Sequence, residues 1–164
     1  MIVFLYGRDS YRLKQNLDKI IEEYKKKHTS GMSFSVLDAS DESPNDTLKK
    51  VENLVKTISF FNEKRLVVIK NPFLLSGELM LLIKKWELAK DKERIVVCVE
   101  PQNKSELNKK GRDLYALLAA KPNVVKNFEP LAGKQLESWA VKETAGHGKK
   151  IDPERGREGT QRAS

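Results

Sequence analysis

The residues with the most chemical promise surround the first glycine. Gly7-Arg8-Asp9-Ser10-Tyr11-Arg12-Leu13-Lys14 follows the apolar run Ile2-Val3-Phe4-Leu5-Tyr6 and opens a helical pattern. A glycine turn between strand and helix is where phosphate-binding loops sit. Such loops need converging backbone N–H groups at the helix N-terminus, a lysine on the outer phosphates and a Ser or Thr on magnesium. Against the pattern G-x-x-x-x-G-K-[ST] starting at Gly7, Arg12 stands at the second glycine, Leu13 at the lysine and Lys14 at the hydroxyl residue. Arg12 brings a Cβ and a long side chain where backbone must approach phosphate, and Leu13 supplies no charge. The loop therefore reads as a degenerate nucleotide loop, and no cofactor is expected.

Magnesium would also need a carboxylate at the end of a buried strand. The run Leu66–Ile69 ends in Lys70-Asn71, with no acid; Glu100 closes Ile95–Val99 but has no lysine and hydroxyl to work with. His28 and His147 lie in polar stretches without companions at metal-ligand spacing. The single cysteine, Cys98, sits inside an apolar run and reads as a small core residue. Neither a G-x-S-x-G elbow nor a G-x-G-x-x-G fingerprint is present. No catalytic residue and no metal site is expected.

A second segment draws attention for another kind of chemistry. Ile58-Ser59-Phe60-Phe61-Asn62-Glu63-Lys64-Arg65 follows a helical stripe that Ile58 completes, and precedes a strand. Adjacent residues there point about 100° apart if still helical, so burying both Phe60 and Phe61 needs a special turn. Two readings stay open: a pair of core aromatics plugging the sheet edge, or an aromatic wedge offered to a partner's pocket. As a wedge, two buried Phe side chains would contribute on the order of 3–6 kcal/mol gross.

The elements that must position these groups follow from periodicity. Short apolar runs at Ile2–Tyr6, Leu66–Ile69 and Ile95–Val99 read as fully buried strands, with others at Ser33–Leu37 and around Val124-Val125. Helices are expected from Asp9 or Ser10 to about Lys27, from about Asn45 to Ile58, from Leu79 to Leu88 with Trp86 inward, and from Leu114 to Ala120. Gln102–Asp113 reads as a polar stretch leading into that last helix, and a further helix begins near Leu136 and Trp139. About five rounds of strand and helix imply an α/β fold, a doubly wound and mainly parallel sheet.

Composition bounds the rest. Of the 164 residues, 39% are hydrophobic and 33% charged, which is globular composition; the net charge of +8 suits an anionic partner or simply a soluble surface. Met1–Gly7 has no basic n-region, no apolar run approaches the roughly 18 residues of a membrane span, and one cysteine permits no internal disulfide. A soluble, cytoplasmic protein is expected. Beyond residue 145 the chain turns to glycine and basic residues and reads as a flexible basic tail, either an unstructured end or a nucleic-acid-binding arm.

The segments Ile2–Tyr11 and Ser59–Lys70, with Phe128-Glu129-Pro130-Leu131 and the helix bearing Leu136 and Trp139, together resemble the delta subunit of bacterial DNA polymerase III. The resemblance spans about residues 1–145. It implies a P-loop-NTPase-like first domain of the clamp-loader type over residues 1–145, with 146–164 the truncated start of a second, helical domain. It implies no intrinsic activity, but a place in the polymerase III holoenzyme, a DNA-directed DNA polymerase and so a nucleotidyltransferase as a whole. It further implies that Phe60 and Phe61, with Lys56, Ile58 and Ser59 just upstream, enter the protein-binding pocket of the β sliding clamp and so help to open it. Some relatives have glutamine where Lys56 stands. Other clamp-loader subunits would be partners, although the helical collar that holds them together in the family is not expected within these 164 residues, and DNA would be met indirectly through the complex. The alternatives are a P-loop-type ATPase with an unorthodox loop and a basic nucleic-acid-binding module.

Overall fold

The computed structural model describes residues 1–57 and 62–146. The elements run β1 (Ile2–Tyr6), α1 (Ser10–Lys27), β2 (Phe34–Asp38), α2 (Pro44–Lys56), β3 (Arg65–Lys70), a 3-10 turn (Pro72–Leu74), α3 (Ser76–Lys85), β4 (Arg94–Glu100), α4 (Lys104–Ala119), β5 (Val124–Asn127) and α5 (Lys134–Gly146). The strands form one five-stranded sheet in the order β2-β3-β4-β1-β5, and every pairing is parallel. β1 lies inside the sheet, with Phe4 opposite Cys98 of β4 and Val125 of β5.

Handedness then assigns the helices. The β1→β2 connection carries the chain to one edge, whereas β2→β3, β3→β4 and β4→β5 all return the other way. With right-handed crossovers, α1 must cover one face and α2, α3 and α4 the other. The core is divided accordingly. Leu13, Leu17 and Tyr24 of α1 pack on Val3, Leu5, Leu66, Val68, Val97 and Val99. The alternate residues Ile2, Phe4, Val67, Ile69, Val96 and Cys98 pack under α2, α3 and α4. β1 and the Leu66–Ile69 stretch of β3 are apolar without interruption because both faces are covered. β2, at the sheet edge, leaves Val36 exposed.

Local signals account for the helix ends. Ser43 accepts from the Asp46 amide and Pro44 occupies the first turn of α2, where a missing N–H costs nothing. The stretch Gln102–Asp113 is not a loop: α4 begins at Lys104, and its kink at Gly111 marks where the polar half meets the apolar half. The helix starts early because Asn103 and Glu106 form a capping box, each side chain satisfying the other's backbone N–H at 2.9 Å, and because Leu107 is fully buried. α3 also begins earlier, at Ser76, and stops at Lys85; Trp86 follows its end, half-buried and packed against the core.

The chain divides into two compact units, Met1–Glu129 and Pro130 onward. The described part of the second holds α5, none of whose residues is buried.

Candidate functional site

The turn between β1 and α1 is filled by the protein itself. Gly7 has φ +135°, and a Cβ built there would stand 2.2 Å from the Phe128 carbonyl oxygen. The close approach knits β5 to the turn: the Phe128 amide donates to Tyr6 O (2.7 Å) and the Asp9 amide donates to Phe128 O (2.9 Å). Asp9 caps α1, its carboxylate accepting from the Arg12 amide at 3.1 Å and from Arg12 Nε at 2.7 Å. Arg12 Nη2 continues to Glu129 O at 2.5 Å, and Arg8 turns away to Glu106, Nη2 to Oε1 at 2.5 Å.

Leu13 is buried beneath α1, and Lys14 Nζ is exposed and paired with Asp18 at 2.6 Å. Burial pulls the Asp9 carboxyl upward, but the hydrogen bonds from Arg12 outweigh it and hold the group below the usual carboxylate range. A carboxylate charged at neutral pH thus stands where a triphosphate would need bare amides. An anion at this helix start meets repulsion.

The carboxyl edge of the sheet carries two more acids. Glu100 is 2% exposed, and burial pushes its carboxyl up. The Phe73 amide donates to Glu100 Oε2 at 3.3 Å, so the acid steadies the 3-10 turn. Asp38 accepts from Ser40 and from Asn71 Nδ2 at 2.8 Å; these bonds overcome its burial and keep its carboxyl low. Among the described residues no three metal-type ligands gather.

The connection between α2 and β3 has described flanks and an undescribed centre: Ile58, Ser59, Phe60 and Phe61 lie outside the described residues. Lys56 ends α2, half-exposed, with Nζ 3.4 Å from Glu52 Oε1; the same carboxylate takes Lys85 at 3.0 Å. Thr57 closes the helix by donating Oγ1 to Asn53 O at 2.7 Å. Asn62, at φ +53°, begins the return to β3.

A cleft of about 450 Å³ lies beside these flanks, walled by Val55, Lys56, Arg65, Trp86 and Arg94, with Glu63 and Glu93 also lining it. Arg65 and Arg94 are register partners at the start of adjacent strands. Arg94 is satisfied, pairing with Asp91 at 2.5 Å and donating to Val55 O at 2.7 Å. Arg65 is 8% exposed and its Nε is buried without a hydrogen-bond partner, as is Trp86 Nε1. The sequence reading passed over this cleft because Arg65 stood as a polar lead-in to a strand and Trp86 as core. The available signal was two strands that both open on arginine.

A nucleotide-domain frame whose phosphate turn is packed with its own backbone defines the class: an α/β domain of the P-loop and clamp-loader type with a degenerate loop. The family model for "DNA polymerase III, delta subunit" matches residues 4–128. The chain belongs to the DNA polymerase III delta subunit family. It is 31% identical over 74 residues to DNA polymerase III subunit delta of Bacillus subtilis (strain 168), a stretch that covers 45% of this chain and 20% of that protein. Neither match assigns nucleotidyl transfer to this chain. Among the described residues, no helix is long and apolar enough to cross a membrane.

Proposed function

We propose that this chain serves in the polymerase III clamp loader, in the cytoplasm, binding the β sliding clamp and helping to open it for DNA replication without hydrolysing ATP itself. Residues 1–145 act as the clamp-loader-type domain and 146–164 lead toward a further helical domain. Phe60 and Phe61 enter the clamp's pocket, with Ile58, Ser59 and Lys56 beside them. The observation that carries the reading is the β1–α1 turn, whose amides serve Phe128 and the Asp9 cap while the sheet keeps its nucleotide-domain order. Family membership suggests the partner, and in sequence the Phe pair falls between the end of α2 and the start of β3.

The test is capture of purified sliding clamp by the wild-type chain and by the Phe60→Ala/Phe61→Ala double variant. Wild type retains the clamp and the variant, with an unchanged circular dichroism spectrum, loses most of its affinity; equal capture by both refutes the site. In parallel, millimolar magnesium-ATP leaves the melting temperature unchanged. A saturable rise would favour the ATPase alternative.

A further inference from the structure

The cleft beside Lys56, Thr57, Asn62 and Glu63 holds an electrostatic problem that is not solved among the described residues. Arg65 and Arg94 stand directly opposite each other on adjacent parallel strands, and like charges so placed repel. Arg94 is neutralised by Asp91. Arg65 is more than nine-tenths buried, and its Nε is sealed from solvent with no hydrogen-bond partner. A buried charge is ordinarily paired, because removing it from water is costly. The indole N–H of Trp86, on the same cleft wall, is likewise buried and unmatched. Two donors, one of them a permanent cation, thus line one cavity and lack an acceptor. Of the two acids that line it, Glu63 is engaged by the hydroxyl and amide of Ser30, and the Glu93 carboxylate bonds neither Arg65 Nε nor Trp86 Nε1.

We infer that this cleft seats a carboxylate side chain of the clamp, with Arg65 and the Trp86 indole as its donors and Arg94 as the flanking cation. The inference rests on the clamp-binding reading above, since the cleft lies against both flanks of the Phe60-Phe61 segment. The carboxylate would be a second point of attachment, fixing the orientation of a contact that two phenylalanines alone leave free to pivot. Planar guanidinium suits a carboxylate in this role, because the fork geometry allows two parallel bonds.

The test uses the whole chain and purified clamp, with Arg65→Met and Trp86→Phe. Methionine matches the arginine stem and removes the charge. The free Arg65→Met chain is therefore as stable as wild type or more so in urea, while its clamp affinity falls about tenfold or more and becomes less sensitive to salt. Trp86→Phe keeps the ring, loses the donor and weakens binding about threefold to tenfold. A fall in Arg65→Met stability would mean the arginine serves the fold alone, and unchanged clamp affinity would leave the cleft without a role; either overturns the inference. If Phe60→Ala/Phe61→Ala abolishes capture while Arg65→Met does not, only the cleft is refuted. If wild type captures no clamp, both readings fall. Loss of duplex-DNA binding rather than clamp binding in Arg65→Met would make the anion a phosphate and equally overturn it.

Discussion

Gly7→Ala should be among the most destabilising single-methyl changes available to this protein. At φ +135° an L-residue is strained, a cost of about 1–3 kcal/mol. The new Cβ also falls 2.2 Å from Phe128 O, 2.4 Å from its carbonyl carbon and 2.7 Å from its amide nitrogen, all backbone atoms that cannot swing aside. Ordinary carbon–oxygen contacts begin near about 3.3 Å, so β5 must retreat by about 1 Å. That retreat stretches both the Phe128 N–H to Tyr6 O and the Asp9 N–H to Phe128 O bonds, at about 0.5–1.5 kcal/mol each. The sum is about 2–6 kcal/mol, a large share of a typical domain's stability. Urea unfolding measures it, and native-state hydrogen exchange should show the Phe128 and Asp9 amides losing protection first. Gly77→Ala in α3 is the control: nothing lies within 4 Å of its Cβ, so it should gain about 0.5–1 kcal/mol. A Gly7→Ala loss below about 1 kcal/mol would refute the claim that this turn is packed tight.

Cys98 is fully buried and its thiol is pushed by burial up to about 12, so iodoacetamide at pH 8 should leave native protein unlabelled and label it in urea. The unfolded thiol, at its ordinary value of 9.0, ionises first, so this group's contribution to stability falls as pH rises from 9 toward 12. Glu106, held down to about 2 by its hydrogen bond from Arg8, stabilises the fold above its ordinary value of 4.5 and loses that contribution as pH falls toward 2. Glu106→Gln should therefore be less stable than wild type at pH 7, with the gap closing in acid melts. Asn71 sits at φ +55° and donates to Asp38; Asn71→Ala should cost about 1–2 kcal/mol more than Asn71→Gly, which keeps the backbone at ease. Equal losses would mean that the side-chain bond, not the backbone, decides.

The sheet was legible because burial on two faces leaves no polar position: Ile2–Tyr6 and Leu66–Ile69 can be little else. Helix ends were legible where a cap is plain, as at Asp9. The first half of α4 was missed because its stripe is thin, Leu107 being its one apolar residue before Gly111, although the Asn103–Glu106 capping box was there to be seen. Leu13 could be recognised as core from its helical spacing with Leu17. The Arg65–Trp86 cleft could not be read, because its members lie 21 residues apart and meet only when β3 and β4 pair and α3 ends beside them. Of the residues proposed to bind the clamp, Lys56 is placed at the end of α2, whereas Ile58, Ser59, Phe60 and Phe61 lie outside the described residues.

The interior position of β1 has a consequence for biosynthesis. This strand leaves the ribosome ahead of the other four, yet its partner on one side, β4, is roughly ninety residues away, and β5 is later still. At translation speeds of about 5–20 residues per second, five contiguous apolar residues wait about 5–20 s with no neighbour to pair with. During that interval Ile2–Tyr6 is a sticky thread, open to misassociation until its sheet neighbours arrive.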